Sequence, residues 1–78
     1  MPGPRVAVYV AQGCHLCEAA VEAVRDVCGK GGYTTIDIAA DPALERAYRE
    51  RIPVVAIDGV DRFTYFVPPE GLREALAS

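Results

Sequence analysis

The residues in this chain best able to do chemistry are two cysteines three positions apart. Cys14 and Cys17 bracket His15 and Leu16, and the stretch from His15 to Cys28 repeats apolar residues at helical steps. The spacing predicts a helix whose first turn carries both thiols on one side. Backbone N–H groups are unpaired at that end and the helix dipole is positive. A sulfur anion is stabilised there, and the Cys14 thiol falls below the free value of ~8.5. The thiolate is the attacking form in thiol–disulfide exchange. The pair can therefore divide labour: Cys14 attacks a disulfide and forms a mixed disulfide, and Cys17, one turn inward, resolves it and releases the reduced product.

The competing chemistry is metal binding. Structural zinc takes four Cys or His ligands. Beyond the pair, the chain has one histidine, His15, and one further cysteine, Cys28. Cys28 stands eleven residues past Cys17 on the same predicted helix, ~16 Å away at ~1.5 Å per residue. His15 is adjacent to Cys14 and points elsewhere. One chain cannot close a zinc site, although two could. Thiol–disulfide chemistry is the favoured reading, and zinc or an iron–sulfur cluster held between two chains, or a non-catalytic docking domain, is the alternative. Cys28 lies on the apolar stripe and reads as a small core residue. A protonated His15 would favour the Cys14 anion; as a solvated side chain it would mainly tune the redox potential. Leu16 is expected to be exposed beside the pair as a small apolar contact.

The rest of the chain supplies the elements that hold this pair. Val6 to Ala11 is apolar on both faces, as a covered strand should be, and Gln12-Gly13 breaks it. Cys17, Ala20, Val21, Val24, Val27 and Cys28 form the stripe of the first helix, which Gly29 stops in a left-handed conformation. Tyr33 to Ile38 reads as a second strand with Ile36 and Ile38 on one face. Strand, helix and strand at this spacing make a parallel, right-handed unit. Asp41-Pro42 starts a second helix with an Asp cap and Pro in the first turn. Leu44, Ala47, Tyr48 and Arg51 line one face of it, and Pro53 ends it before Ile52. Val54 to Ile57 is a short buried strand, Asp58-Gly59 a two-residue hairpin turn, and Val60 to Phe66 the returning strand with Phe63 and Tyr65 on one face. Pro68-Pro69 opens a last helix carrying Leu72, Ala75 and Leu76. Sequence alone does not decide whether the Ile52–Pro53 bond is cis, since only a small minority of X-Pro bonds are. The expected fold is α/β, in the order β-α-β-α-β-β-α, with a mixed four-stranded sheet and helices on both faces.

Composition bounds the possibilities. Seventy-eight residues, 51% hydrophobic and 24% charged, suit one small globular domain over residues 1–78, with residues 1–4 a flexible tail. A net charge of −3 with no basic run argues against nucleic acid or an anionic membrane as partner. No apolar stretch approaches the ~20 residues a membrane span needs, and the start does not resemble a signal peptide. We expect a cytoplasmic monomer. In that compartment a Cys pair is more often catalytic or metal-binding than a structural staple.

These residues carry a resemblance. Val8 to Glu18, Ile36-Asp37-Ile38 through Asp41-Pro42, and Tyr48 to Ile57 with Ile52-Pro53-Val54 are similar to glutaredoxin-like proteins of the thioredoxin fold, in particular the small bacterial group with a C-x-L-C-E start. The resemblance extends from about Arg5 to Leu76. It implies that Cys14 is the nucleophile, Cys17 the resolving thiol, and Pro53 a cis proline facing them. The backbone of Ile52 would then pair with an extended substrate. His15, Leu16, Arg51, Ile52 and Pro53 are the implied substrate contacts. The implied substrate is a disulfide-bearing protein or small molecule, and the reductant is glutathione or a thioredoxin-reductase-like donor, with no bound cofactor. The chain departs from typical glutaredoxins where they bind glutathione. Ala11-Gln12 replaces a lysine before the first cysteine, Arg51-Ile52-Pro53 replaces Thr-Val-Pro, and Phe63 to Pro69 lacks the glycine pair and following acid. Arg51 could replace one carboxylate contact.

Overall fold

The computed structural model describes residues 4–77. The expected tail lies outside the described residues except for Pro4, which is exposed and belongs to no element. The order is β1 (Val6–Val10), α1 (His15–Cys28), β2 (Tyr33–Asp37), a 3-10 turn (Ile38–Ala40), α2 (Pro42–Tyr48), β3 (Val54–Ile57), β4 (Val60–Thr64) and α3 (Pro69–Ala77). The sheet order is β2-β1-β3-β4. β1 and β2 are parallel, as the intervening helix demands, and the other two pairs are antiparallel.

Alternation along β1 divides the sheet's two faces. Val6 and Val8 are buried in a cluster with Ala20 and Val24 of α1, Val55 and Ile57 of β3, Val67, and Leu72 and Ala75 of α3. This is the main core, and it places α1 and α3 on one face. Tyr9 points the other way and stacks on Tyr48 of α2, ring centroids 4.3 Å apart. The Tyr48 hydroxyl donates to Asp61 of β4 at 3.2 Å. Burial, the nearby Asp61 carboxylate and Tyr9 push the Tyr48 phenol pKa up. One aromatic pair and one hydrogen bond thus hold α2 against the second face, where α2 itself buries no residue fully. Helices flank the sheet on both sides, as expected.

The local signals operate as their chemistry dictates. Asp41 caps α2, its Oδ1 accepting from the Ala43 amide at 2.8 Å. Asp58 and Gly59 take positive φ values of 52° and 83°, the twist a two-residue hairpin needs. β3 is buried along its whole length.

Four details differ from the sequence expectation. β2 ends at Asp37, and Ile38 is buried from within the 3-10 turn because Asp37 caps that turn through the Ala39 amide. Gly29 has positive φ, but its ψ of 167° is extended rather than left-handed helical; its amide still closes the helix onto the Arg25 carbonyl. In α2, Ala47 is exposed and Arg51 lies beyond the helix, so only Leu44 and Tyr48 lie half-buried on the expected face. β4 ends at Thr64, so Tyr65 and Phe66 are not strand residues. A bulge opposite Val55 and Ala56 inserts Arg62 and shifts the register before that end.

Candidate active site

β1 delivers the chain to the site. After Val10, the turn at Gln12-Gly13 uses φ +74° at Gly13, a value only glycine takes without steric cost, and nothing crowds the missing side chain. The turn reverses the chain so that Cys14 becomes the N-cap of α1. Ser, Thr, Asp and Asn are the ordinary caps because an oxygen accepts a first-turn amide. Here a sulfur does: Cys14 Sγ accepts from the Cys17 amide at 3.1 Å.

The two sulfurs are within bonding distance, with a Cα–Cα separation of 5.2 Å. The residues therefore form a disulfide in this structure. The two partners differ in access. Cys14 is half-buried, whereas Cys17 is 3% exposed. An open groove of about 580 Å³ reaches both, with walls that include Gly13, Glu18, Val21, Glu22 and Arg25. Cys14 is therefore the more accessible of the two sulfur-bearing residues.

His15 and Leu16 are exposed on the first turn, Leu16 at 55%. The Ile52–Pro53 bond is cis and Pro53 is fully buried. Val54 pairs with Tyr9, which puts Pro53 beside the end of β1 that leads into the thiols. Ile52 is half-buried, and its amide donates to the Tyr48 carbonyl at 3.1 Å. Arg51 is drawn toward α2 and β4. Its guanidinium pairs with Asp61 at 3.3 Å and lies over the Tyr48 ring, 5.3 Å from its centroid. The structure thus gathers Cys14, His15, Leu16, Cys17, Ile52 and Pro53 at one end of the sheet, with the Arg51 side chain committed to a neighbouring cluster.

Cys28 occupies the far end of α1, half-buried, and burial pushes its thiol pKa up. Among the described residues, no three of His, Cys, Asp and Glu come together as a metal-binding cluster. No helix among them is long and apolar enough to cross a membrane.

Sequence reasoning missed Tyr65 and Phe66. Tyr65 has φ +64°, and the Phe66 amide donates back to the Thr64 carbonyl at 2.6 Å, a γ-turn of the rare positive-φ kind. For a non-glycine residue this costs on the order of 1–3 kcal/mol. Two further bonds hold it: the Tyr65 amide donates to the Pro53 carbonyl at 2.8 Å, and its hydroxyl donates to the Glu50 carbonyl at 2.5 Å. The turn leaves Phe66 73% exposed. The available signal was two consecutive aromatics, Tyr65 and Phe66, one residue before the pair Pro68-Pro69, which a half-buried strand cannot both bury.

Comparison with known proteins agrees with the fold. A model of a glutaredoxin-like domain (DUF836) matches residues 5–77. The crystal structure of the structural-genomics target protein XcR50 from X. campestris is 32% identical, with 92% of this chain and 95% of that one covered and a TM-score of 0.77. A mutant of the thioredoxin-like protein BC3987 shares the fold at 23% identity, with 94% and 95% covered and a TM-score of 0.68. So does oxidised glutaredoxin 2 from Chlamydomonas reinhardtii, at 21% identity, 94% and 71% covered and a TM-score of 0.59. No curated protein matches. With its thioredoxin-like sheet order and its cysteine pair at the mouth of α1, this chain belongs to the glutaredoxin-like domain family.

Proposed function

We propose that the protein is a dithiol–disulfide oxidoreductase that reduces disulfides in proteins or small molecules. The observation that carries this reading is the unequal pair: a partly accessible sulfur that caps a 14-residue helix, bonded to a buried one. In the reduced form the Cys17 amide and the positive end of α1 stabilise a Cys14 thiolate. That thiolate attacks one sulfur of the substrate, and the other leaves as a thiolate and takes up a proton. Cys17 then loses its proton and attacks Cys14 Sγ, which frees the second substrate thiol. Two electrons have passed to the substrate, and the protein is left with the Cys14–Cys17 disulfide. A thiol or dithiol donor, glutathione or a thioredoxin-reductase-like protein, returns it to the dithiol.

His15, Leu16 and Ile52 form the surface a substrate meets, with the buried Pro53 beneath it. The Ile52 amide already serves Tyr48, so a bound chain would pair with its carbonyl. Arg51 would have to leave Asp61 to reach a substrate carboxylate. Such a cycle belongs in a reducing compartment, so the proposed setting is a monomer in the cytoplasm taking part in electron transfer. The test is a trap. Reduced Cys17→Ser protein, mixed with a disulfide substrate, should accumulate a mixed disulfide on Cys14 visible as a mass increase. Free turnover without that adduct would discard the assigned roles.

A further inference from the structure

We propose that Asp61 is a specificity-determining residue: its carboxylate occupies the Arg51 guanidinium and so turns the thiol site away from disulfides that carry a carboxylate. The inference rests on the redox reading above and names the charge class of disulfide that site favours, uncharged over anionic.

Three side chains close on one another. Asp61 accepts from the Tyr48 hydroxyl at 3.2 Å and from Arg51 Nη2 at 3.3 Å. The Arg51 guanidinium also lies over the Tyr48 ring, 5.3 Å from its centroid. The main chain fixes the same corner, since the Arg51 and Ile52 amides both donate to the Tyr48 carbonyl, at 2.8 and 3.1 Å. Strand pairing supplies Asp61 to it. Asp61 pairs with Ala56 and Ala56 with Ala7, which shares with Tyr9 the face of β1 that α2 covers.

This corner adjoins the thiols. Arg51 precedes the Ile52–Pro53 bond directly, and Tyr48 stacks on Tyr9 near the end of β1 that leads into Cys14. The other guanidinium at the thiol end, Arg25, lines the groove on the α1 face of the sheet and donates to the Tyr33 hydroxyl at 3.4 Å. On the α2 face, Arg51 is the cation next to Ile52 and Pro53, and Asp61 holds it.

A substrate carboxylate gains little from Arg51 while Asp61 is in place. It exchanges one carboxylate for another on the same guanidinium, and the protein's own carboxylate is present at high effective concentration. Once displaced, Asp61 stays nearby as a like charge and disfavours the anion further. An uncharged disulfide meets neither penalty. Asparagine at this position keeps an oxygen for the Tyr48 hydroxyl but has no charge, so it releases Arg51 to the substrate. The two side chains are 46% and 30% exposed, which makes this a severalfold effect rather than an absolute gate.

The test compares dithiodiglycolic acid with its diamide, disulfides of equal length that differ in charge, and adds hydroxyethyl disulfide as a general substrate. Protein is reduced with dithiothreitol and desalted, and each second-order rate constant is divided by that of free dithiothreitol with the same disulfide. The natural protein should favour the diamide. Asp61→Asn should raise the acid-to-diamide ratio by about fivefold, the worth of one half-exposed ion pair. Asp61→Ser, which removes the charge with different packing, should raise it likewise. Adding Arg51→Gln to Asp61→Asn should remove most of the rise. A natural protein that prefers the acid, a ratio unmoved by both Asp61 variants, or a rise that survives Arg51→Gln each overturns this inference alone, provided hydroxyethyl disulfide is reduced. Failure to reduce any of the three disulfides overturns the redox reading and this inference with it.

Discussion

Both ends of α1 carry cysteine, and the contrast between Cys14 and Cys28 explains the site. Cys14 is at the end where amide hydrogens converge, and it receives one of them on its sulfur. Cys28 is the last residue of the same helix, where carbonyl oxygens converge and the dipole is negative. Cys14 is followed one turn later by a buried partner, whereas Cys28 is free and its thiol is pushed up by burial. The side chains are identical. Both are half-buried, so on the proposed redox reading it is helix polarity and the neighbouring Cys17 that make one a nucleophile and leave the other inert.

Kinetics should show the largest difference. Cys14→Ser should lower disulfide reduction by about a thousandfold or more, as loss of a covalent nucleophile does, whereas Cys28→Ser should stay within about twofold of the natural rate. An active Cys14→Ser protein, or a crippled Cys28→Ser one, would break the comparison. Reactivity comes next. In the reduced protein at pH 6.5, iodoacetamide should modify Cys14 at least about tenfold faster than Cys28, read by peptide mass spectrometry. Equal rates would remove the role of the helix terminus.

Stability sharpens the comparison through a glycine near each end. A Cβ on Gly32 would lie 2.2 Å from the Cys28 carbonyl oxygen, so backbone must move. Gly32→Ala should cost about 2 kcal/mol in denaturant unfolding, in the range of overpacking. At the thiol end a Cβ on Gly13 meets nothing, and only the positive φ opposes it. Gly13→Ala should cost about 1 kcal/mol. A larger loss at Gly13 than at Gly32 would mean that the thiol turn is the more tightly constrained end.

The smallest effect is in pH. Burial raises the folded-state pKa of Cys28. The thiol therefore adds stability that is fully present below the ordinary thiol pKa and is lost as pH rises from there through the raised folded value. Because the group is only partly buried, the slope should be shallow, and Cys28→Ala should flatten it in urea midpoints measured from pH 7 to pH 10. An unchanged slope would assign it to another group.

Much of this was legible from neighbouring residues. The Cys14–Cys17 spacing, the Asp41-Pro42 start and the Asp58-Gly59 turn each act within one turn of chain, where sterics and one hydrogen bond decide the outcome. Tyr65 was misplaced for the opposite reason. Its alternation with Phe63 fits a strand, but bonds to Pro53 and Glu50, 12 and 15 residues away, hold it in a turn instead. Arg51 shows the same limit. The resemblance implied a substrate contact for it, and no local pattern showed that Asp61 of β4 would pair with its guanidinium.

The sequence by itself determined the order of elements, the helix end on which the thiols sit and the stripe that buries α1, because periodicity and capping depend on residues a few positions apart. Tertiary structure decided the isomer of the Ile52–Pro53 bond, the exposure of Phe66 and which cysteine solvent reaches first. Each of those depends on segments brought together only when the sheet forms, and no local pattern encodes which atoms will then be within hydrogen-bonding reach.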